Sequence, residues 1–253
     1  LIYKIMRDAG LNAALGGNIG ESFAYSVATG DYDWYVLELS SFQLDGMYKF
    51  RAHIGVLMNI TPDHLDRYGH CFQNYVDSKM RITQNQNSRD YFVYSGDDEV
   101  IWQQLPRYDL RMKQLPFAAK NAVASGAGDA FLCDGKFTAA VGKASVEIDT
   151  AKMQLKGLHN AYNAMAAALA TLAAGVAPAS IRRSIYGFAP VCHRLEPVRE
   201  SGGVLWINDS KATNVDSVYY ALESMTRPVV WIAGGTDKGN DYEPLKRFAR
   251  EKV

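Results

Sequence analysis

The clearest structural signal in this chain is the decapeptide YVLELSSFQL at residues 35–44. A short apolar run carries Glu38 near its end and then breaks into a polar turn at residues 40–43. This pattern predicts a buried parallel strand whose polar residues lie at its carboxyl end, where open α/β sheets bind their ligands. A carboxylate in a buried run is costly unless it is paired or binds a cation. Glu38 is therefore either the ion-pair partner of a Lys or Arg, or a ligand for a metal or substrate.

Composition bounds the class of protein. The 253 residues suffice for one large domain or two ordinary ones, and 48% are hydrophobic, so we expect a sizeable core. Lys+Arg and Asp+Glu both number 27, which argues against a general nucleic-acid or membrane-surface binder. The three cysteines fit neither a disulfide framework nor a zinc site. No apolar run approaches the ~18 residues of a membrane span, and we expect a cytoplasmic protein.

Both ends of the chain carry helical patterns without the usual boundaries. Apolar residues at helical spacing begin at Leu1 with no capping residue before them, and the chain closes on residues 250–253, after what reads as another helix with no strand following. We therefore expect a fragment of a longer protein.

A glycine-rich turn follows the first predicted strand. That strand covers residues 11–15, and the turn is GGNIG at residues 16–20. Three glycines in five residues let the backbone turn tightly and approach a ligand closely. An ordinary strand-to-helix turn explains the same pattern equally well.

A second buried strand, predicted at residues 55–60, runs into the sequence TPDHLD. Thr61 is predicted to cap a helix and Pro62 to occupy its first position, where the missing N–H costs nothing. The first turn would then hold two acids and an imidazole that either bind a cation or substrate, or only compensate the helix dipole. These residues are Asp63, His64 and Asp66.

A helix is predicted at residues 71–84, and Lys79 falls on its apolar side, one turn after Tyr75. A lysine there either extends its ammonium to the surface or is held in a site. Burial would lower its pKa and expose a nucleophilic amine.

Glycine-linked β segments over residues 114–148 predict antiparallel hairpins appended to the parallel core. Helices are predicted at residues 161–174 and 178–186. Asn160 is either the cap of the first of these helices or, with Asn163, one of two carboxamides that hydrogen-bond a base edge.

The last quarter of the chain predicts a second α/β unit. A strand at residues 204–207 leads into NDSKATN at residues 208–214, a helix at 215–225 and another strand at 228–233. The polar stretch either holds phosphate, ribose or carboxylate, or is a turn capped by Asn214. We predict two domains, 1–189 and 190–253, the second being the start of a Rossmann-like domain.

Taken together, these motifs resemble the Mur ligases of bacterial peptidoglycan synthesis, and within them the D-glutamate-adding member. The motifs occur in the family's order: GGNIG (16–20), LELSSFQL (37–44), NITPDHLDRY (59–68), Tyr75 with KMRI (79–82), GLHN with Asn163 (157–163), HRLE (193–196) and NDSKATN (208–214). The resemblance implies an α/β fold: a Mur-ligase-type central ATPase domain, with a parallel sheet flanked by helices plus a small antiparallel sheet, and then the Rossmann-like domain.

The resemblance also implies the chemistry and the site. A monomer would join D-glutamate to UDP-N-acetylmuramoyl-L-alanine, using ATP and two Mg²⁺ ions. Glu38 would hold one Mg²⁺, and His64 and a carbamylated Lys79 the second. The resemblance also implies which residues would contact each substrate. The sugar nucleotide would be bound by Asn18, Ser40 and Gln43, and D-glutamate by Thr213 and Lys238. ATP would be bound by Asn160, Asn163, Arg194, Asp209 and Lys211.

Because the family's N-terminal domain and phosphate-binding loop do not occur in these residues, we expect this piece alone to be inactive. Three alternatives stay open. One is another ATP-dependent amino-acid ligase of the superfamily, such as a folylpolyglutamate synthase or a different Mur ligase. The others are a non-catalytic binding module, and a metal hydrolase built on Asp63, His64 and Asp66.

Overall fold

A computed structural model describes residues 1–120, 128–189, 191–235 and 241–253. The chain divides into two compact units, Leu1–Phe188 and Ala189–Val253. Among the described residues, the first unit contains two sheets and the second a single two-stranded hairpin.

A two-stranded parallel sheet opens the first unit. β1 (Ala13–Gly17) pairs with β2 (Trp34–Glu38), with Gly17 opposite Glu38. The strand ending at Glu38 is thus confirmed, but its predicted burial is wrong: no residue of β2 is fully buried, and Glu38 is exposed. Within the described chain β2 pairs only with β1, so its other edge and its apolar side chains stay partly open to solvent.

A six-stranded mixed sheet forms the centre of the first unit. Its strands lie in space in chain order: β3 (Ile54–Leu57), β4 (Tyr91–Ser95), β5 (Lys113–Ala118), β6 (Gly128–Cys133), β7 (Lys136–Val141) and β8 (Ala144–Asp149). Neighbours from β3 to β6 run parallel, and β6, β7 and β8 run antiparallel. The predicted hairpins are confirmed. They continue the parallel sheet, however, because β6 pairs with β5.

Helices cover both faces of this sheet. One face is covered by α1 (Ile2–Asp8), α6 (Leu158–Ala173) and α7 (Pro178–Tyr186), and the other by α4 (Phe72–Met80) and α5 (Glu99–Gln104). Two further helices lie outside this sheet: α2 (Phe23–Thr29) packs against β1, and α3 (Ser41–Asp45) packs against α4. Alternation along β4 divides the core: Val93 packs in the cluster that contains α6, whereas Phe92 and Tyr94 pack in the cluster that contains α4. α6 buries 10 of its 16 residues, mostly alanines, whose small side chains let the helix lie close to the strands.

Two predicted helix starts are wrong. Residues 61–64 are not helical, and a short 3₁₀ turn begins only at Leu65–Tyr68. His64, just before that turn, has a left-handed backbone with φ of 52°, which no α-helix accommodates. α6 begins at Leu158 with Gly157 as its N-cap, so Asn160 lies inside the first turn instead of capping it.

The described residues of the second unit form a hairpin and two α-helices. β9 (Glu196–Ser201) and β10 (Val204–Asn208) pair antiparallel, followed by α8 (Val215–Ser224) and α9 (Lys246–Glu251). Asn214 caps α8, as predicted, by accepting the Ser217 N–H at 2.9 Å. The predicted strand at 228–233 is wrong: no described strand pairs with this run, and Val230 is 92% exposed.

None of the described helices has the length and apolar character that crossing a membrane requires.

Candidate active site

Glu38 lies at the carboxyl end of β2, next to Asn18. The Asn18 backbone N–H donates to the Glu38 carbonyl at 2.8 Å, and its side-chain amide donates to the Glu38 carboxylate at 3.3 Å. Gly17 has φ of +98°, and a Cβ there would overlap the Glu38 carbonyl oxygen. The glycine-rich turn therefore brings β1 close to β2 and holds an amide against the predicted metal ligand.

Ser40 and Gln43 form the start of α3. The Ser40 hydroxyl accepts the Gln43 backbone N–H at 3.3 Å, and the Gln43 side-chain oxygen accepts the Ser40 N–H at 2.9 Å. This reciprocal capping box satisfies amide groups that a helix start leaves unpaired. It fixes the turn directly after Glu38, whereas a substrate-binding role for the two residues stays a prediction.

His64 is held in a strained backbone conformation beside Asp63. Its N–H donates to the Asp63 carboxylate at 2.9 Å, and its ring Nε2 lies 3.7 Å from the other carboxylate oxygen. The Phe42 ring from α3 meets the imidazole edge-on, with centroids 5.2 Å apart. A left-handed residue that is not glycine costs about 1–3 kcal/mol and is concentrated at functional sites.

Lys79 lies half-buried near the end of α4, with its Nζ 5.4 Å from the centre of the Tyr75 ring. Burial lowers the pKa of Lys79, and the Asp63 and Glu38 carboxylates oppose this shift. Burial and the Asp63 charge also raise the pKa of Tyr75 to about 12, so this phenol stays protonated. The fold thus brings the Glu38 and Asp63 carboxylates within electrostatic reach of Lys79.

The donor chemistry of this group fits Mg²⁺ on one condition. In the described part of the chain, no three His, Cys, Asp or Glu side chains are arranged to hold a metal ion. Mg²⁺ prefers carboxylate and other oxygen ligands. Glu38 and Asp63 supply carboxylates, whereas an unmodified Lys79 ammonium cannot ligate. The set suits Mg²⁺ if Lys79 carries an anionic oxygen group.

Asn160 and Asn163 lie one turn apart at the start of α6. The Asn160 amide donates to the Lys156 carbonyl at 2.8 Å, and the Asn163 amide donates to the Asn160 side-chain oxygen at 3.5 Å. The two carboxamides are thus neighbours, as predicted. Their contact with a nucleotide base stays a prediction.

In the second unit, three of the predicted ATP-binding residues lie on two loops that touch. The Asp209 carboxylate accepts the Leu195 N–H at 3.0 Å, next to Arg194, and the Lys211 N–H donates to the His193 carbonyl at 3.1 Å. Arg194 and Lys211 are exposed, as is Thr213. Lys238 lies outside the described residues.

The set of site residues implied by the family resemblance contains neither Asp63, which the sequence offered only as one of several candidate ligands, nor Tyr75. The structure gives both a role at Lys79, one through its charge and the other through its ring. Asp63 directly precedes His64 after a strand, and Tyr75 lies one helical turn before Lys79. These spacings mark both residues as neighbours of predicted site residues, whereas their action on Lys79 depends on tertiary packing.

Comparison with known proteins relates the chain to one family. The model of the Mur ligase middle domain matches residues 1–171. The UDP-N-acetylmuramoylalanine–D-glutamate ligase of Bacteroides thetaiotaomicron is 49% identical over 254 residues, which cover 100% of this chain and 56% of the relative. The enzyme of the same name from Christiangramia forsetii is 45% identical, again over 100% of this chain and 56% of the relative. The chain thus spans about half the length of these curated relatives.

Solved structures share the fold at lower identity. A UDP-N-acetylmuramoyl-L-alanyl-D-glutamate–2,6-diaminopimelate ligase aligns with a TM-score of 0.65 at 17% identity, over 100% of this chain and 57% of that structure. MurF ligase from Thermotoga maritima, in complex with ADP, aligns with a TM-score of 0.63 at 18% identity, over 88% of this chain and 52% of that structure.

Proposed function

This chain belongs to the Mur ligase family, and from that premise we propose that the protein containing it joins D-glutamate to UDP-N-acetylmuramoyl-L-alanine at the expense of ATP. The similarity to D-glutamate ligases over the whole chain, at 44–49% identity, supports this choice of amino acid. The acceptor carboxylate attacks the γ-phosphate, which gives an acyl phosphate and ADP. The amine of D-glutamate then attacks the acyl carbon and releases phosphate.

The protein's task in such a reaction is to position the reactants and neutralise charge. Bound Mg²⁺ would supply positive charge beside the phosphate oxygens. Glu38 would hold one ion, and His64 and Lys79 the other. The Asn18 amide would hold the Glu38 carboxylate at the end of β2, and the capping box of Ser40 and Gln43 would fix the turn that follows it.

Lys79 would serve as a ligand through a carbamate. Its neutral amine adds to CO₂, forms an N–C bond and loses one proton, so that a cation becomes an anion with two oxygen ligands. The lowered pKa of Lys79 supports this step because a larger share of the amine is unprotonated at neutral pH. His64, beside Asp63, would complete the set.

The other predicted contacts divide between the substrates. Asn160 and Asn163 would face adenine, and Arg194, Asp209 and Lys211 would bind the ATP phosphates and ribose. Asn18, Ser40 and Gln43 would meet the sugar nucleotide, and Thr213 and Lys238 would meet D-glutamate. A monomer acting in the cytoplasm on small molecules remains our expectation.

The observation that carries the proposal is that the Glu38 and Asp63 carboxylates both act on the half-buried Lys79 ammonium. It is tested in the full-length protein by ADP formation that depends on both D-glutamate and UDP-N-acetylmuramoyl-L-alanine. We expect E38Q to lower kcat by roughly 100- to 1000-fold, the range for losing one preorganised electrostatic contact. E147Q, on the exposed face of β8, is the matched control and should leave kcat unchanged. Turnover with another amino acid in place of D-glutamate would favour a different ligase of the family.

A further inference from the structure

A row of side-chain donors joins the helix of Lys79 to the segment that follows Glu38. Side chains of residues 78–86, at the end of α4 and in the 3₁₀ turn and loop that follow it, donate to main-chain carbonyls of residues 41–52. We call this set the donor row. Its members, with the carbonyls they reach, are Ser78 (Ser41), Arg81 (Leu44 and Met47), Gln84 (Met47), Asn85 (Tyr48 and Phe50) and Gln86 (Ala52).

The residues that accept these hydrogen bonds have little regular structure of their own. α3 is only five residues long, and the chain from Gly46 to the start of β3 at Ile54 is irregular. The carbonyls at the end of a helix have no partner within it. The donor row adds hydrogen bonds to several carbonyls of this segment, so its position depends on Ser78 and on side chains that directly follow α4.

Two members of the donor row, Ser78 and Arg81, lie within two residues of Lys79 in the chain. The Ser78 hydroxyl is buried and donates to the Ser41 carbonyl at 2.9 Å, at the start of α3. The Arg81 Nε donates to the Leu44 carbonyl at 2.8 Å and its Nη2 to the Met47 carbonyl at 3.0 Å, at the end of α3. The Arg81 guanidinium also lies 5.6 Å from the centre of the Tyr48 ring. Both ends of α3 are therefore attached to the helix turn that carries Lys79.

We propose that Arg81 is a positioning residue that sets the separation between Lys79 and the Glu38–Gln43 turn, by holding both carbonyls at the end of α3. The inference rests on the proposed function, because that function gives the separation its catalytic meaning. Arg81 itself touches neither substrate nor metal in this proposal. A guanidinium suits the role because its fixed fork reaches two carbonyls at once, which a lysine ammonium on a flexible stem does less well.

The test compares R81M with R107M in the full-length protein. Arg107 lines the same open cavity of about 600 Å³ as Arg81, but its guanidinium donates to Gln104 instead of α3. We expect R81M to lower kcat by roughly 10- to 100-fold, as a misplacement of about 1 Å does, while R107M stays near wild type. R81K should recover part of the loss, and added methylguanidinium should restore activity to R81A.

Amide hydrogen exchange supplies a readout independent of turnover. In R81M, residues 41–48 should exchange faster, while β4 exchanges as in the wild type. A kcat for R81M equal to that of the wild type would overturn the inference. So would an equal loss in R107M, or faster exchange throughout the sheet, which would mean that Arg81 only stabilises the fold. An inactive wild-type protein would instead reject the proposed function, and exchange at residues 41–48 would still decide whether Arg81 holds α3.

Discussion

Lys79 concentrates opposing electrostatic effects in one side chain. Burial lowers its pKa, and the Asp63 and Glu38 carboxylates raise it by a smaller amount. The Tyr75 ring lies beneath the ammonium and adds a weak cation–π attraction. Because the shift is downward overall, the charged form of Lys79 costs folding free energy in the protein without ligands.

This cost predicts a pH-dependent effect of K79M. Between the folded pKa and 10.5, the unfolded chain binds more protons than the native one, so wild-type stability rises with pH in that window. At neutral pH, the free-energy cost of burying the charged Lys79 ammonium is fully present. We therefore expect K79M to raise Tm by roughly 1–3 °C there, and the gain to shrink as the pH approaches 10.5. Thermal melts across this range measure it.

K143M is the matched control, because Lys143 lies exposed in the turn between β7 and β8. Its Tm should follow the wild type at every pH. A K79M protein that is less stable than the wild type at neutral pH would contradict the burial argument.

Ser40 and Gln43 each have two candidate roles, one indicated by their spacing in the sequence and the other implied by the family resemblance. The spacing Ser-x-x-Gln is a capping box in sequence, and the structure contains that box. The same two residues were assigned to the substrate through resemblance. Both roles are compatible only if the substrate reaches the Ser40 turn from its open side, which no pattern in the sequence specifies.

At the level of secondary-structure elements, the Asp98 side chain connects the start of α5 to the loop that follows β3. Its Oδ1 accepts the Ile101 N–H at 2.8 Å, which caps α5, and its Oδ2 accepts the Ile60 N–H at 3.1 Å. Ile60 follows β3 and precedes the loop that carries Asp63 and His64. One carboxylate thus holds a helix start and the entry to the candidate site.

We expect D98A to lower the free energy of unfolding by about 1–3 kcal/mol, since it removes a cap and leaves two backbone donors unpaired. D98N keeps one oxygen acceptor, so it should lower the free energy of unfolding by roughly half as much as D98A. Urea titration measures both. D109A is the control, because Asp109 makes only an exposed ion pair with Arg111, worth about 0–1 kcal/mol. Equal losses in D98A and D109A would disprove the capping role.

The elements that sequence predicted correctly are those with strong local signals. α7 and α8 begin at their predicted positions because apolar periodicity, Pro178 and the Asn214 cap mark them. The misplaced starts near Thr61 and Asn160 depend on backbone torsions at His64 and Gly157 instead. A strand also needs a neighbour, which is why the apolar run at 228–233 is not one.

At the scale of the whole molecule, the two units differ in how many apolar side chains they bury. The first unit buries two apolar clusters, one on each face of the six-stranded sheet. In the described part of the second unit, the buried apolar residues are Leu222, Leu245 and Phe248. Large apolar side chains there, such as Trp206 and Ile232, are 54% and 83% exposed. Few buried contacts mean a low local stability.

We therefore expect limited proteolysis of this chain to cut residues 189–253 first. Chymotrypsin should leave a resistant product that begins at Leu1 and ends near Phe188, because cleavage requires local opening and the core of the first unit opposes it. Mass spectrometry of a time course identifies the product. L169A, which removes a fully buried side chain of α6, should abolish the resistance, whereas L205A at an exposed position should not. Early cuts within the strands of the first unit would contradict the prediction.

The sequence alone was enough for the family, the α/β class and most of the elements, because these depend on local periodicity and on motifs in a fixed order. It also placed Glu38 at a strand end. Tertiary packing was needed to reveal that Glu38 is exposed, that Asp63 and Tyr75 act on Lys79, and that Arg81 holds α3 from another helix. These properties depend on distances between side chains far apart in the chain, and such distances exist only after the sheet and its helices have come together.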